Sequence, residues 1–145
     1  MSDAPLSRTG QSMQRPRFLL VDDEPSVLRG LKRILETHQP FWLIDVAKDG
    51  QTALELMQRN GYDVLITDLH MPSMNGASLL LRASHTHPKI VRIVHSSRCE
   101  TLEASSFARL VHRVLPKPAT AMDIIKAATW AISRSRGTAS DSRCA

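Results

Sequence analysis

One feature restricts the fold of this chain more than any other: a repeated alternation of two patterns. Five short apolar runs, "RFLLVD", "WLIDVA", "DVLITD", "KIVRIVHS" and "HRVLP", are separated by segments of a different periodicity. In "PSVLRGLKRILETH" the residues Val27, Leu28, Leu31, Ile34 and Leu35 recur at helical spacing, and Pro25 stands where a first helical turn tolerates it. "DGQTALELMQRNG" is a second helix with Gly61 as its expected stop, and "GASLLLRASHTH" is a third, halted by Pro88. A weaker helical stretch covers about 100–109. "TAMDIIKAATWAISR" closes the series, with Thr120 and Asp123 as a capping pair. Strands that alternate with helices form a parallel sheet covered on both faces. The expected architecture is therefore α/β, a parallel five-stranded sheet with helices on both faces.

Composition sets the bounds. The 145 residues suit one domain, and no apolar run approaches the ~20 residues needed to cross a bilayer. The start, "MSDAPLSRTGQSMQRPR", has no apolar core of a secretory signal, so a cytoplasmic location is expected, without membrane contact. Residues 1–16 and 135–145 read as polar, disordered tails around a domain at 17–134. Cys99 and Cys144 lack metal-ligand spacing and read as free thiols. The net charge of +5 raises the question of nucleic acid, but part of it sits in the tails and no basic block is interleaved with aromatics. Direct DNA binding is not expected.

In sheets of this kind, ligands bind beyond the carboxyl ends of the strands. Asp22 and Asp23 follow the first strand, Asp68 the third, Ser96 and Ser97 end the fourth, and Lys117 with Pro118 follows the fifth. Three carboxylates brought to one edge repel one another, and a divalent cation removes that cost. Hard oxygen donors without a His/Cys cluster favour Mg2+ (or Mn2+), which keeps positions for water or phosphate oxygens. A lysine and a hydroxyl beside such an ion suit the oxygens of a phosphoryl group. A carboxylate can also be the nucleophile, and Asp68, alone at a central strand tip, is the best placed.

The segments "FLLVDDEPSVLRGL", "DVLITDLHMPSMNG", "RIVHSS" and "VLPKP", in this order, resemble the receiver domain of bacterial two-component response regulators, from about Arg17 to Arg134. The resemblance implies a chemotaxis-regulator-like fold, a flavodoxin-like, doubly wound (βα)5 three-layer sandwich with strand order 2-1-3-4-5, in which Asp68 accepts a phosphoryl group from a sensor histidine kinase or phosphotransfer protein. It implies Mg2+ held by Asp22, Asp23, Asp68 and the backbone carbonyl of His70. Lys117 would pair with the phosphoryl group, Ser96 would be the switch hydroxyl, and the Lys117–Pro118 peptide would be cis. The domain would be no enzyme beyond its own phosphorylation and dephosphorylation.

Two positions depart from the family pattern. Val114 stands where many receivers have Tyr or Phe, and Ser97 where Gly or Ala is usual. These departures lend some support to an alternative, a degenerate receiver that only docks or dimerises. A phosphohydrolase of the haloacid dehalogenase type would want an Asp at position 70 rather than His70. His95, in an aliphatic strand, reads as a satisfied core histidine. On the last helix, Trp130 points away from the stripe Ile124, Ile125, Ala128, Ala131 and Ile132. It either lies flat across its own helix or serves a partner surface. In the family, the last two helices and the fifth strand form a dimerisation and output face, so a homodimer there is the expectation.

Overall fold

A computed structural model describes residues 14–72, 74–98 and 106–137. β1 (Arg17–Val21) leads into α1 (Pro25–His38), β2 (Leu43–Ala47) into α2 (Gly50–Arg59), and β3 (Val64–Thr67) into α3 (Gly76–Thr86). β4 (Val91–Ser96), a 3-10 turn at Ala108–Leu110, β5 (Arg113–Pro116) and α4 (Ala121–Ser135) complete the described chain. The five strands form one parallel sheet in the order β2-β1-β3-β4-β5, as expected from the sequence.

β1, β3 and β4 lie inside the sheet, and from Phe18 onward their residues are buried on both faces, which is why these runs read as continuous rather than alternating. Alternate residues still sort into two layers. Phe18 and Leu20, Val64 and Ile66, and Val91 and Ile93 face α1 and α4, where they meet Leu31, Leu35, Ile124 and Ala128. Leu19 and Val21, Leu65 and Val94 face the other way, onto Ala53, Met57, Leu79 and Leu80 of α2 and α3.

The helix ends differ in part from expectation. Thr120 and Asp123 form the expected reciprocal capping box. α2 is closed by Asn60 rather than Gly61: the Asn60 backbone N–H and its side-chain amide both donate to Leu56 O. The side chain of Asn60 supplies the donor, so no left-handed glycine is required there. α4 runs to Ser135, one residue beyond the expected domain edge. At the other edge, Pro16 O accepts a hydrogen bond from Leu43 N (2.8 Å), which ties the residues before β1 to the sheet. Residues 100–105 of the expected weak helix lie outside the described residues, as do Ser73, Cys99, Cys144 and the tails up to 13 and from 138. The rest of that segment is a turn at 106–107 followed by the 3-10 turn.

Candidate functional site

Register builds the site. Val21 pairs with Thr67, so the next residues, Asp22 and Asp68, leave the sheet side by side. Asp68 N donates to Val21 O (3.0 Å) and Asp22 N to Ala47 O (3.2 Å), which anchors both backbones at the carboxyl rim. Lys117 N donates to Ser96 O (2.9 Å) and brings the β5 exit to the same rim. The Lys117–Pro118 peptide is cis.

The Lys117 ammonium bridges the two acids. Its Nζ lies 2.9 Å from Asp22 Oδ2 and 3.3 Å from Asp68 Oδ2. Burial pushes the Lys117 pKa down, but the hydrogen bonds and charges of Asp22 and then Asp68 outweigh it and hold it above the ordinary lysine value. Asp68 Oδ1 accepts from Leu69 N (2.7 Å) and His70 N (3.4 Å), so the loop backbone holds one oxygen while the other faces Lys117. Asp22 Oδ1 accepts from Glu24 N (3.0 Å). Asp22 is 1% exposed and Asp68 8%, whereas Asp23 is open to solvent.

One oxygen from each of Asp22, Asp23 and Asp68 lies within 4.8 Å of the others. This donor set fits a hard divalent cation such as Mg2+ or Mn2+, which takes few protein oxygens and retains water. Two of the three acids are nearly sealed from water, and one ammonium offsets only one of their charges. The mouth of the group, where Asp23 is exposed, is where further positive charge would be most stabilising. Ser96 is fully buried at the end of β4, where its Oγ accepts from Arg98 N (3.1 Å). Ser97 is exposed at the rim and lines a cavity of about 510 Å³ together with Lys117. Val114 is half-buried and packs into the α2–α3 layer opposite Val94. His70 is exposed. Trp130 lies apart from this group: it is half-buried against the α1–α4 layer, close to Arg113 at the opposite end of β5.

Three features were missed at the level of sequence. Gly76 closes the loop from Asp68: its N–H donates to Leu69 O (2.8 Å), and a Cβ there would lie 2.0 Å from Asp68 O. Only the glycine of the D-x-x-M-P-x-M-x-G pattern signals this. The second feature is the setting of Trp130, which rests against two guanidinium groups.

The third is His95. It is buried as expected, but it is not satisfied: its Nδ1 has no hydrogen-bond partner among the described residues. Its neighbours in the wall of the cavity are mainly apolar side chains such as Leu31 and Ile124, together with Lys117, which has no proton acceptor to offer. Burial, and then the charge of Lys117, holds the His95 imidazole below its ordinary value of 6.5, with Asp22 and Asp68 opposing. The folded chain therefore binds this proton less readily than the unfolded chain, which takes it up below about pH 6.5. Stability from this source is present above that value and falls as pH drops through it. His95→Leu is expected to raise stability by about 1 kcal/mol at neutral pH and to flatten the acid limb. Urea denaturation between roughly pH 5 and 8 would read both effects; an unchanged acid limb would refute the assignment.

The fold and this rim define a receiver. The response regulator receiver domain family model matches residues 18–129, and the chain belongs to that family. It is 41% identical over 66 residues to the transcriptional regulatory protein TrcR of Mycobacterium tuberculosis, covering 46% of this chain and 25% of that protein. It is 33% identical over 106 residues to protein-glutamate methylesterase/protein-glutamine glutaminase 4 of Geobacter metallireducens, covering 70% of this chain and 30% of that protein. The chain thus spans about a third or less of these curated relatives. Among solved structures, the signal receiver domain of an HD domain-containing protein from Pseudomonas fluorescens superimposes with TM-score 0.76 at 27% identity, covering 86% of this chain and 99% of that one. No helix among the described residues is long and apolar enough to cross a membrane.

Proposed function

We propose that Asp68 is the phosphoacceptor of this receiver and that its phosphorylation is the signal. The observation that carries this reading is the convergence of Asp22, Asp23 and Asp68 on one point with Lys117 bridging two of them. An oxygen of the ionised Asp68 attacks the phosphorus of a donor. The donor's phosphorus–nitrogen or phosphorus–oxygen bond breaks, its electron pair leaves with the donor, and an acyl phosphate remains. Lys117, already turned to the Asp68 carboxylate, sits where it can counter the charge on the phosphoryl oxygens. The amides of Leu69 and His70 hold the nucleophile in one orientation and remove rotational freedom that would otherwise be lost on reaction. Mg2+ or Mn2+, held by Asp22, Asp23, Asp68 and the His70 carbonyl, supplies further charge neutralisation when bound.

Ser96 is the switch hydroxyl in this reading. Its Oγ accepts from Arg98 N at the β4 terminus, and its O–H can donate to a phosphoryl oxygen carried by Asp68; forming that hydrogen bond shifts the population of the β4 exit. Ser97 and Val114 take part in that shift, the first at the rim and the second beneath it; Val114 is too short to swing as an aromatic would. The donor is a sensor histidine kinase or phosphotransfer protein, and the setting is cytoplasmic. The protein has no reaction of its own beyond gain and loss of this phosphoryl group, and it does not contact DNA or membrane directly. Incubation with acetyl phosphate and Mg2+ tests the reading. Intact-mass measurement should show one phosphoryl group gained, mapped to the Asp68 peptide, and a chelator should prevent it. A protein that takes up none under these conditions would overturn it.

A further inference from the structure

The cavity that Ser97 and Lys117 border extends along α1. Its volume of about 510 Å³ suits a small organic molecule. Its walls come from α1, the end of β4 and the stretch from Lys117 to Ile124, and Val27, Leu31, Ile34, Ala119 and Ile124 make most of them apolar. Gly30 keeps the α1 side open. It lines the cavity from an exposed position, and nothing lies within 4 Å of where a Cβ would stand. Set into this wall is the imidazole of His95, 6% exposed, whose Nδ1 has no hydrogen-bond partner among the described residues. A buried polar atom left unpaired is costly, and an occupant that supplied the missing hydrogen bond would recover part of that cost.

We propose that this cavity binds a small neutral molecule with a flat apolar body and one N–H or O–H donor, of the phenol or indole class, and that His95 takes the donor. The apolar walls receive the body, as in ligand sites where a few polar groups fix orientation. Nδ1 is enclosed by protein, and a turn of the ring about its Cβ–Cγ bond, a soft rotation, brings it round to the occupant. Near neutral pH the ring has an acceptor nitrogen to offer, because burial holds its pKa below the ordinary value. Neither sign of charge is favoured in the occupant. Lys117 is the charged group that borders the cavity, and it repels a cation. Its own charge is already matched by Asp22 at 2.9 Å and Asp68 at 3.3 Å, which leaves none to hold an anion. The site is additional to the phosphoacceptor and does not depend on chemistry at Asp68.

The test follows amide NMR shifts of the isotopically labelled full chain during titration with three probes. Indole carries the donor, 1-methylindole has the same body without it, and indole-3-acetate adds a negative charge. Indole should give saturable shifts confined to α1, the end of β4 and residues 117–119. The other two should bind at least about fivefold more weakly, the scale of one net hydrogen bond. His95→Leu should bind indole and 1-methylindole equally, an erased preference that a merely structural role for His95 would not produce. Gly30→Leu places a side chain in the cavity from an exposed helical position that meets no other atom, and it should abolish binding of indole. The two variants act on different elements, so the outcome does not hang on the folding of either one. Asp68→Asn should bind indole as the unaltered chain does, which separates this result from the phosphoacceptor reading. The proposal is overturned if indole gives no saturable shift, or if 1-methylindole binds the unaltered chain as tightly as indole does. It also falls if a folded Gly30→Leu protein binds indole unchanged.

Discussion

Asp68→Asn is expected to give a folded protein that gains no phosphoryl group from acetyl phosphate and Mg2+. The carboxamide has nearly the shape of the carboxylate, and its oxygen can still accept from the Leu69 and His70 amides. It lacks the charge and nucleophilicity that form an acyl phosphate. No neighbour can stand in: Asp22 is 1% exposed with one oxygen on Glu24 N and the other on Lys117, and Asp23 lies outside this bridge. Intact mass would read the loss as complete. Lys117→Met should behave differently. It keeps the nucleophile but leaves Asp22 and Asp68 facing each other without the ammonium, and a rate loss of about 10²–10³ is the scale for removing one such charge from a phosphoryl site. A mass gain in Asp68→Asn equal to that of the unaltered chain would dismiss Asp68 as the acceptor.

What could be seen in the sequence, and what could not, follows from the range of the forces involved. The strands were legible because β1, β3 and β4 are buried on both faces, so Leu19 to Val21 or Val64 to Ile66 have no polar alternation to confuse them. The acids were legible because strand ends converge in a parallel sheet: once β1 and β3 are neighbours, Asp22 and Asp68 must be. His95 shows where such reasoning stops. Its burial follows from the pattern of β4, but whether Nδ1 finds a partner depends on side chains from α1 and α4, which no local pattern specifies. Trp130 is similar. Helical spacing turned it from the core stripe, yet it is half-buried, because Arg113, distant in sequence, arrives beside it from β5. The end of α2 fell to Asn60 because a side-chain amide can satisfy a carbonyl that glycine leaves to the backbone.

Gly76→Ala is expected to lower stability by about 3 kcal/mol, a large part of the ~5–15 kcal/mol that a domain of this size has. The added methyl would lie 2.0 Å from Asp68 O and 2.7 Å from Leu69 Cα, and neither can rotate away as a side chain could. Relief requires the loop to move, which breaks or strains the Gly76 N–H to Leu69 O hydrogen bond and carries the Asp68 carboxylate with it. The same substitution should therefore slow phosphorylation even in molecules that remain folded, which an ordinary core defect would not do. Gly30→Ala is the control. Gly30 lies within α1 with nothing within 4 Å of the added methyl, so alanine there should raise stability by about 1 kcal/mol through helix propensity. Urea denaturation of the two variants should show shifts of opposite sign. A Gly76→Ala protein as stable as the unaltered chain, phosphorylated at the same rate, would mean that the loop bends freely and that the nucleophile is not positioned by this contact.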